Sequence, residues 1–232
     1  RGLAVLCQTH LGKRPVGEEK AEVQGDLLAE AEPELERLAA QAAAALELEP
    51  VLAEKIEESG LERVYRKIEL PLLPVIAAVE RRGLLLDAAA LQKLSGELHG
   101  RMAELEKRAH ELAGQPFNPA STKQVGEVLF GRLKLPGGRR TKTGFSTAGD
   151  VLEKLAGEHE VAAVILEHRQ LAKLDGTYAA KLPDEVDPSS GRLHTTLHQA
   201  AVATGRLSSS DPNLQNIPIR TELGRRIRRA FI

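Results

Sequence analysis

The side chains best suited to binding chemistry gather in one stretch, Thr204-Gly205-Arg206-Leu207-Ser208-Ser209-Ser210-Asp211-Pro212-Asn213-Leu214-Gln215-Asn216-Ile217-Pro218. Arg206, Asn213, Gln215 and Asn216 offer donors that match acceptors on nucleic-acid base edges, and Leu207, Leu214 and Ile217 alternate with them as anchors to a core. In the minor groove of DNA those acceptors are nearly the same for every base pair. Side chains reading them there sense pairing geometry more than sequence. A hydrogen-bonded polar loop has the same composition, and composition does not separate the two readings.

Other chemistries find less support. The chain has no Gly-x-Ser-x-Gly, no His-Glu-x-x-His and no Walker loop. His194 and His198 stand four apart, a metal-ligand spacing on a helix, but they fall in an expected strand with no third ligand nearby. No metal site is expected. The single cysteine, Cys7, excludes an intramolecular disulfide and reads as an inert thiol. Aromatics are only 3% of residues, so rows of rings stacking on bare bases are not expected.

The elements that must position the polar stretch follow from hydrophobic spacing. Leu35, Leu38, Ala42 and Leu46 recur at helical steps, with Pro50 expected to stop that helix and a short one to follow up to Ser59-Gly60. Val64, Ile68, Leu72, Val75 and Val79 mark a further helix, kinked where Pro71 and Pro74 remove backbone donors. Leu84-Leu85-Leu86 reads as a short buried strand, and Asp87 as the cap of a long helix up to Ala113-Gly114. Its stripe of Leu91, Leu94, Leu98, Met102, Leu105, Ala109 and Leu112 calls for a partner, supplied by a helix over about 159–178. Between them Ser121 with Gln124, and Thr147 with Asp150, have capping spacing. The loop from Pro136 to Ser146 reads as an exposed tip. Further on, Arg192 to Leu197 and Ala200 to Thr204 read as strands, 205–218 as a polar loop, and Glu222 to Arg229 as a basic helix.

The fold class is therefore mainly α with a small β portion, α+β. The 232 residues are 42% hydrophobic, enough for a sizeable core, and no apolar run reaches the roughly 20 residues a membrane helix needs. The expectation is a soluble, cytoplasmic protein. The net charge of -1 conceals a gradient. Residues 1–64 carry 7 basic and 14 acidic side chains, whereas residues 116–232 carry 17 and 12. The excess lies in Arg139, Arg140 and Lys142 and in Arg220, Arg225, Arg226, Arg228 and Arg229, a hint of one region that meets a polyanion. Solvated faces would look the same. The Ala, Leu, Glu and Arg load fits a thermophilic source and a GC-rich genome equally.

With Arg220-x5-Arg226-Ile227-Arg228-Arg229-Ala230-Phe231-Ile232 added, the polar stretch closely resembles the bacterial DNA polymerase I family, family A. Residues 61–87 resemble the approach to that family's polymerase region. Phe117-Asn118-Pro119-Ala120-Ser121-Thr122-Lys123-Gln124, Lys142-Thr143-Gly144-x-Ser146-Thr147 and Glu167-x-Arg169-x-Leu171-x-Lys173-Leu174-x-x-Thr177-Tyr178 resemble motifs of its thumb. The resemblance runs from about residue 61 onward.

It implies a helical remnant of a 3′–5′ exonuclease-like domain over 1–60, a lead-in over 61–86, a thumb over 87–182 and the start of a palm over 183–232. The partner implied is primer–template duplex DNA. Thumb contacts would come from Asn118, Ser121, Thr122, Lys123, Gln124, Lys142, Thr143, Ser146, Thr147, Arg169, Lys173, Thr177 and Tyr178. Minor-groove contacts would come from Arg206, Asn213, Gln215 and Asn216, and phosphate contacts from Arg220 and Arg228. Arg225, Arg226 and Arg229 read as a solvated face.

Three departures shape the expectation. The family's thumb has Lys and Ser where this chain has Asp175 and Gly176, which puts one phosphate contact in doubt. The exonuclease metal pattern Tyr-x3-Asp falls on Leu27 and Ala31, which cannot ligate, so exonuclease activity is not expected. The Asp-x-Ser-x-x-Glu-Leu motif, the nucleotide-binding fingers helix and the His-Asp-Glu motif have no match. The two Mg2+ ions of the complete polymerase would then be held by a palm that these residues lack, and this chain would bind no cofactor. The leading expectation is part of a DNA polymerase that cannot extend a primer alone and works with a palm–fingers chain or a missing continuation of the same polypeptide. A stand-alone DNA-binding module and a helical interaction scaffold are the alternatives.

Overall fold

The computed structural model describes residues 2–13, 31–138, 140–141 and 144–232. The expectations placed on Leu27, Arg139, Lys142 and Thr143 lie outside the described residues. Contacts divide the chain into two units, Arg1–Val75 and Ile76–Ile232.

In the first unit α1 (Leu3–His10) packs on α2 (Ala31–Glu58) through Cys7, Ala44 and Leu48, all buried. Two expectations fail here. Pro50 does not stop the helix but sits inside it, on an exposed face where the carbonyl it leaves without a donor can meet water. The stripe of Leu35, Leu38 and Leu46 is exposed, because the packing face is the one through Ala44, Leu48 and Leu52. A short helix α3 (Glu62–Val64) leads into a π turn, Tyr65–Glu69, and then α4 (Leu70–Arg82). Leu70 N–H donates to the Tyr65 carbonyl, five residues back. The irregularity expected at Pro71 and Pro74 is thus accompanied by a widened turn just before them.

The second unit is built on one helix pair. Asp87 Oδ1 accepts from Ala90 N–H at 2.9 Å and opens α5 (Ala88–Ala113), which ends at Gly114 with φ +65°. Leu91, Leu94, Leu98, Leu105 and Ala109 face into the core against Val161, Val164, Ile165 and Leu171 of α8 (Glu160–Leu174). Each buried leucine of this kind contributes about 2 kcal/mol, so the seam sets the pair's register. Arg101–Glu167 at 2.9 Å and Arg108–Glu160 at 2.7 Å flank it. A π turn, Asp175–Ala179, extends α8 and is followed by α9 (Lys181–Asp184).

Between α5 and α8 lie α6 (Thr122–Gly126), a π turn Glu127–Arg132, a two-stranded ribbon and α7 (Gly149–Ala156). The ribbon pairs β2 (Arg140–Thr141) with β3 (Gly144–Phe145) antiparallel, so the expected plain loop carries a hairpin. Ser121 Oγ does accept from Gln124 N–H, at 3.4 Å. The Thr147 cap does not form: Ala148 is the capping residue and makes no side-chain bond. Thr147 is buried and bonded to Arg169 instead.

A three-stranded antiparallel sheet closes the base of the pair, in the order β1 (Leu84–Leu85), β5 (Arg192–Leu193), β4 (Val186–Asp187). The strand expected over Arg192–Leu197 is broken at His194 and Thr195. His194 Nδ1 meets the Glu80 carbonyl at 2.8 Å, and Thr195 Oγ1 donates to the Ser210 and Pro212 carbonyls. The chain then leaves this sheet as β6 (Thr196–His198), whose partner is β7 (Ser208–Ser210). Ala200–Thr204 is not a strand; the pairing partner of β6 comes from inside the expected polar loop. α10 (Glu222–Arg229) follows, capped by Thr221 Oγ1. The α+β class holds.

Candidate nucleic-acid interface

Two groups of polar side chains are presented by this frame. The first is pinned by Ser209, which is buried at 8% exposure in β7. Its Oγ accepts from the N–H groups of Leu214 and Gln215 at 2.9 and 3.2 Å, and the Gln215 amide oxygen accepts back from Ser209 N–H at 3.1 Å. This reciprocal set folds residues 209–215 into a fixed turn. Leu214 and Ile217 pack on the core as expected, whereas Leu207, just before β7, remains 41% exposed. Arg206, Asn213, Gln215 and Asn216 are all exposed.

Gln215 and Asn216 share a concave surface with Arg220, Thr221 and Arg228. Gly224 makes the approach of α10 possible, because a Cβ there would press on the Pro218 carbonyl and lie 2.8 Å from its carbon. The arginines of α10 divide by partner. Arg225 donates to Glu222 at 2.8 Å, Arg226 to Glu97 of α5 at 2.8 Å, and Arg229 lies 3.5 Å from Glu222. Those hydrogen bonds push the Arg226 pKa further up and hold the Glu222 and Glu97 carboxyls below their ordinary value. Among the described residues no carboxylate pairs with Arg206, Arg220 or Arg228. The expected solvated face of Arg225, Arg226 and Arg229 is open to solvent but partly offset by two carboxylates, Glu222 serving both Arg225 and Arg229.

The second group is assembled by Arg169. Its guanidinium donates to the Pro119 carbonyl at 2.9 Å and to the carbonyl and Oγ1 of Thr147 at 2.8 and 3.2 Å. Burial pushes its pKa down, and its remaining Nη2 is buried without a partner. One side chain thus ties the Asn118–Gln124 turn to the Ser146–Thr147 segment. In that turn Asn118 Oδ1 accepts from Ala120 N–H, and Gln124 Oε1 accepts from Asn118 N–H at 2.7 Å rather than closing a box on Ser121. Asn118, Thr122, Lys123 and Gln124 are exposed, Ser121 and Ser146 half-buried. Lys173, one turn beyond Arg169 on the same face of α8, and Thr177 are exposed; Tyr178 is buried, which raises its hydroxyl pKa. Lys142 and Thr143 cannot be placed with them, lying outside the described residues.

Asp175 does not stand on the surface where a phosphate contact would be lost. It is 6% exposed and turned toward α5, where Ser95 Oγ donates to Oδ1 at 2.6 Å and His99 Nε2 lies 3.2 Å from Oδ2.

Residues 88–232 match the family described as DNA polymerase family A. The chain belongs to the family A DNA polymerases. It is 51% identical over 190 residues to DNA polymerase I of Pseudomonas aeruginosa, covering 81% of this chain and 21% of that protein. It is 44% identical to DNA polymerase I of Rhizobium leguminosarum, covering 100% of this chain and 23% of that one. A solved structure described as the POL domain of Pol1 from M. smegmatis in complex with DNA primer-template and dNTP superposes with a TM-score of 0.84 at 33% identity. That match covers 100% of this chain and 38% of the other. This family A chain thus spans about a fifth of the length of the relatives it matches.

Polymerases of the family use divalent metal ions. Among the described residues no group of three or more His, Cys, Asp or Glu converges on a point that could hold one, and no helix is long and apolar enough to cross a membrane. His194 and His198 are bonded to Ser190 and Ser210. The supporting residues Ser209, Thr195 and Gly224 escape a reading based on hydropathy, since serine and threonine carry no apolar signal. Only the Gly inside a basic helix hints at a close approach.

Proposed function

We propose that this chain is the duplex-holding part of a DNA-directed DNA polymerase of replication and repair. The observation that carries this is the contrast on α10 and its neighbours. Arg225 and Arg229 share Glu222 and Arg226 is paired with Glu97, while Arg220 and Arg228 keep exposed side chains around Gln215 and Asn216, and Arg206 is exposed without a carboxylate partner among the described residues. Phosphates attract the latter and the polar side chains suit minor-groove acceptors.

In this reading residues 87–182 are the thumb, 183–232 begin the palm, 61–86 lead into it, and 1–60 are a remnant of an exonuclease-like domain. Asn118, Ser121, Thr122, Lys123, Gln124, Lys142, Thr143, Ser146, Lys173 and Thr177 meet the duplex backbone. Arg169, Thr147 and Tyr178 support them from within. Arg206, Asn213, Gln215 and Asn216 read the minor groove near the primer terminus, which checks pairing geometry. The catalytic carboxylates and the two Mg2+ ions belong to a part of the polymerase outside these 232 residues, in a cytoplasmic enzyme acting on the nucleoid.

Primer extension tests the division of labour. Residues 1–232 alone should not extend a primer, and extension should appear when a palm–fingers chain is added. Extension by the lone chain would overturn the reading.

A further inference from the structure

We infer that Asp175 is a positioning residue for the duplex grip: its bonds to Ser95 and His99 of α5 lock the junction between α8 and its π turn and so aim Lys173 and Thr177. The inference rests on the duplex-holding function proposed above. Burying a carboxylate is costly unless both oxygens find partners. Here both do, and both partners come from the facing helix: Ser95 Oγ at 2.6 Å and His99 Nε2 at 3.2 Å.

The backbone of the same residue marks the change of helix type. Asp175 N–H donates to the carbonyls of Leu171 and Ala172, while its own carbonyl accepts from Ala180 N–H at 3.0 Å, five residues on. A widened turn is where a helix can shift its register, and a side-chain latch at its first residue removes that freedom. Lys173 lies two residues before the latch and Thr177 two after, both exposed. Their azimuth about the helix is therefore set by a bond made on the opposite, buried side. An acidic residue at this position thus serves the polyanion grip without facing it.

The sign of the effect separates this from plain electrostatics. Deleting a negative charge favours binding to a polyanion, whereas loosening the latch weakens it. In the 232-residue chain Asp175→Ala should speed amide hydrogen exchange at Tyr178 and Ala180 about tenfold in the absence of DNA. Its affinity for a primer–template duplex should fall about tenfold, the size of one lost charge-assisted contact. Lys173→Ala, costly in the parent chain, should cost little more in the Asp175→Ala background. Asp175→Asn keeps an acceptor for Ser95 and should hold exchange and affinity at or near parental values. Ser95→Ala cuts the same bond from the other helix and should act like Asp175→Ala, which guards against a variant that merely fails to fold.

Unchanged exchange in Asp175→Ala and Ser95→Ala, or duplex binding as tight as the parent's with the full Lys173→Ala cost retained, would overturn the inference. A parent chain that does not bind duplex overturns the duplex grip, and with it the positioning role. The exchange measurement then reports only whether the latch exists.

Discussion

Arg169 illustrates what a single side chain contributes here. Its motif, Glu167-x-Arg169-x-Leu171-x-Lys173, marks it in the sequence, but the direction in which its guanidinium points depends on two segments 50 and 22 residues away. Sequence spacing sets which face of α8 it occupies and nothing about Pro119 or Thr147. Because it holds two backbone carbonyls in a half-buried site, Arg169→Ala should destabilise the chain by about 2–4 kcal/mol in urea unfolding. Arg169→Lys should recover only part of this, since an ammonium cannot fork to both carbonyls. If Arg169 were instead a surface phosphate contact, stability would be unchanged and the salt slope of duplex binding would fall by about 0.9. Ser209 teaches the same lesson in reverse: a residue that looks like loop filler is the acceptor around which the turn over residues 209–215 is folded.

At the scale of elements, the long helix pair was legible throughout. Asp87, the leucine stripe and Gly114 define α5 from cap to stop, because capping and hydrophobic burial act locally and act together. The failures differ in cause. Pro50 was overridden by strong helix formers on both sides, and Thr147 by a buried arginine. Strand β7 pairs with β6 through Ser208–Ser210, whose types carry no strand signal.

The most exposed weakness among these elements is the contact of α10 with the segment before it. Gly224→Ala places a methyl group against the Pro218 carbonyl, a backbone group that cannot rotate away. Melting should show a loss of about 1–3 kcal/mol. Duplex affinity should fall as well, because Gln215 and Asn216 are displaced from Arg220 and Arg228. A neutral outcome in both measurements would mean that this approach is not needed.

For the whole molecule, the near-zero net charge is the least informative number and its distribution the most. The acidic excess lies in residues 1–64, while the basic excess of residues 116–232 is partly cancelled on the surface of α10 and left open at Arg206, Arg220 and Arg228. The candidate binding side chains were legible because they sit in one motif-rich stretch. Which arginines are already paired was not, since Glu97 and Arg226 meet only through the packing of α10 on α5.

The proposed grip on duplex DNA combines open phosphate contacts with separate minor-groove contacts, and the two differ in their response to salt. Fluorescence anisotropy of a primer–template duplex, titrated from low to moderate salt with the parent chain, Arg228→Ala and Asn216→Ala, tests it most directly. The parent should show log affinity falling against log salt with a slope of about -3 to -5. Arg228→Ala should make that slope shallower by about 0.9, while Asn216→Ala should weaken binding at every salt concentration without changing the slope. Affinity that is independent of salt, or identical in all three proteins, would contradict the claim.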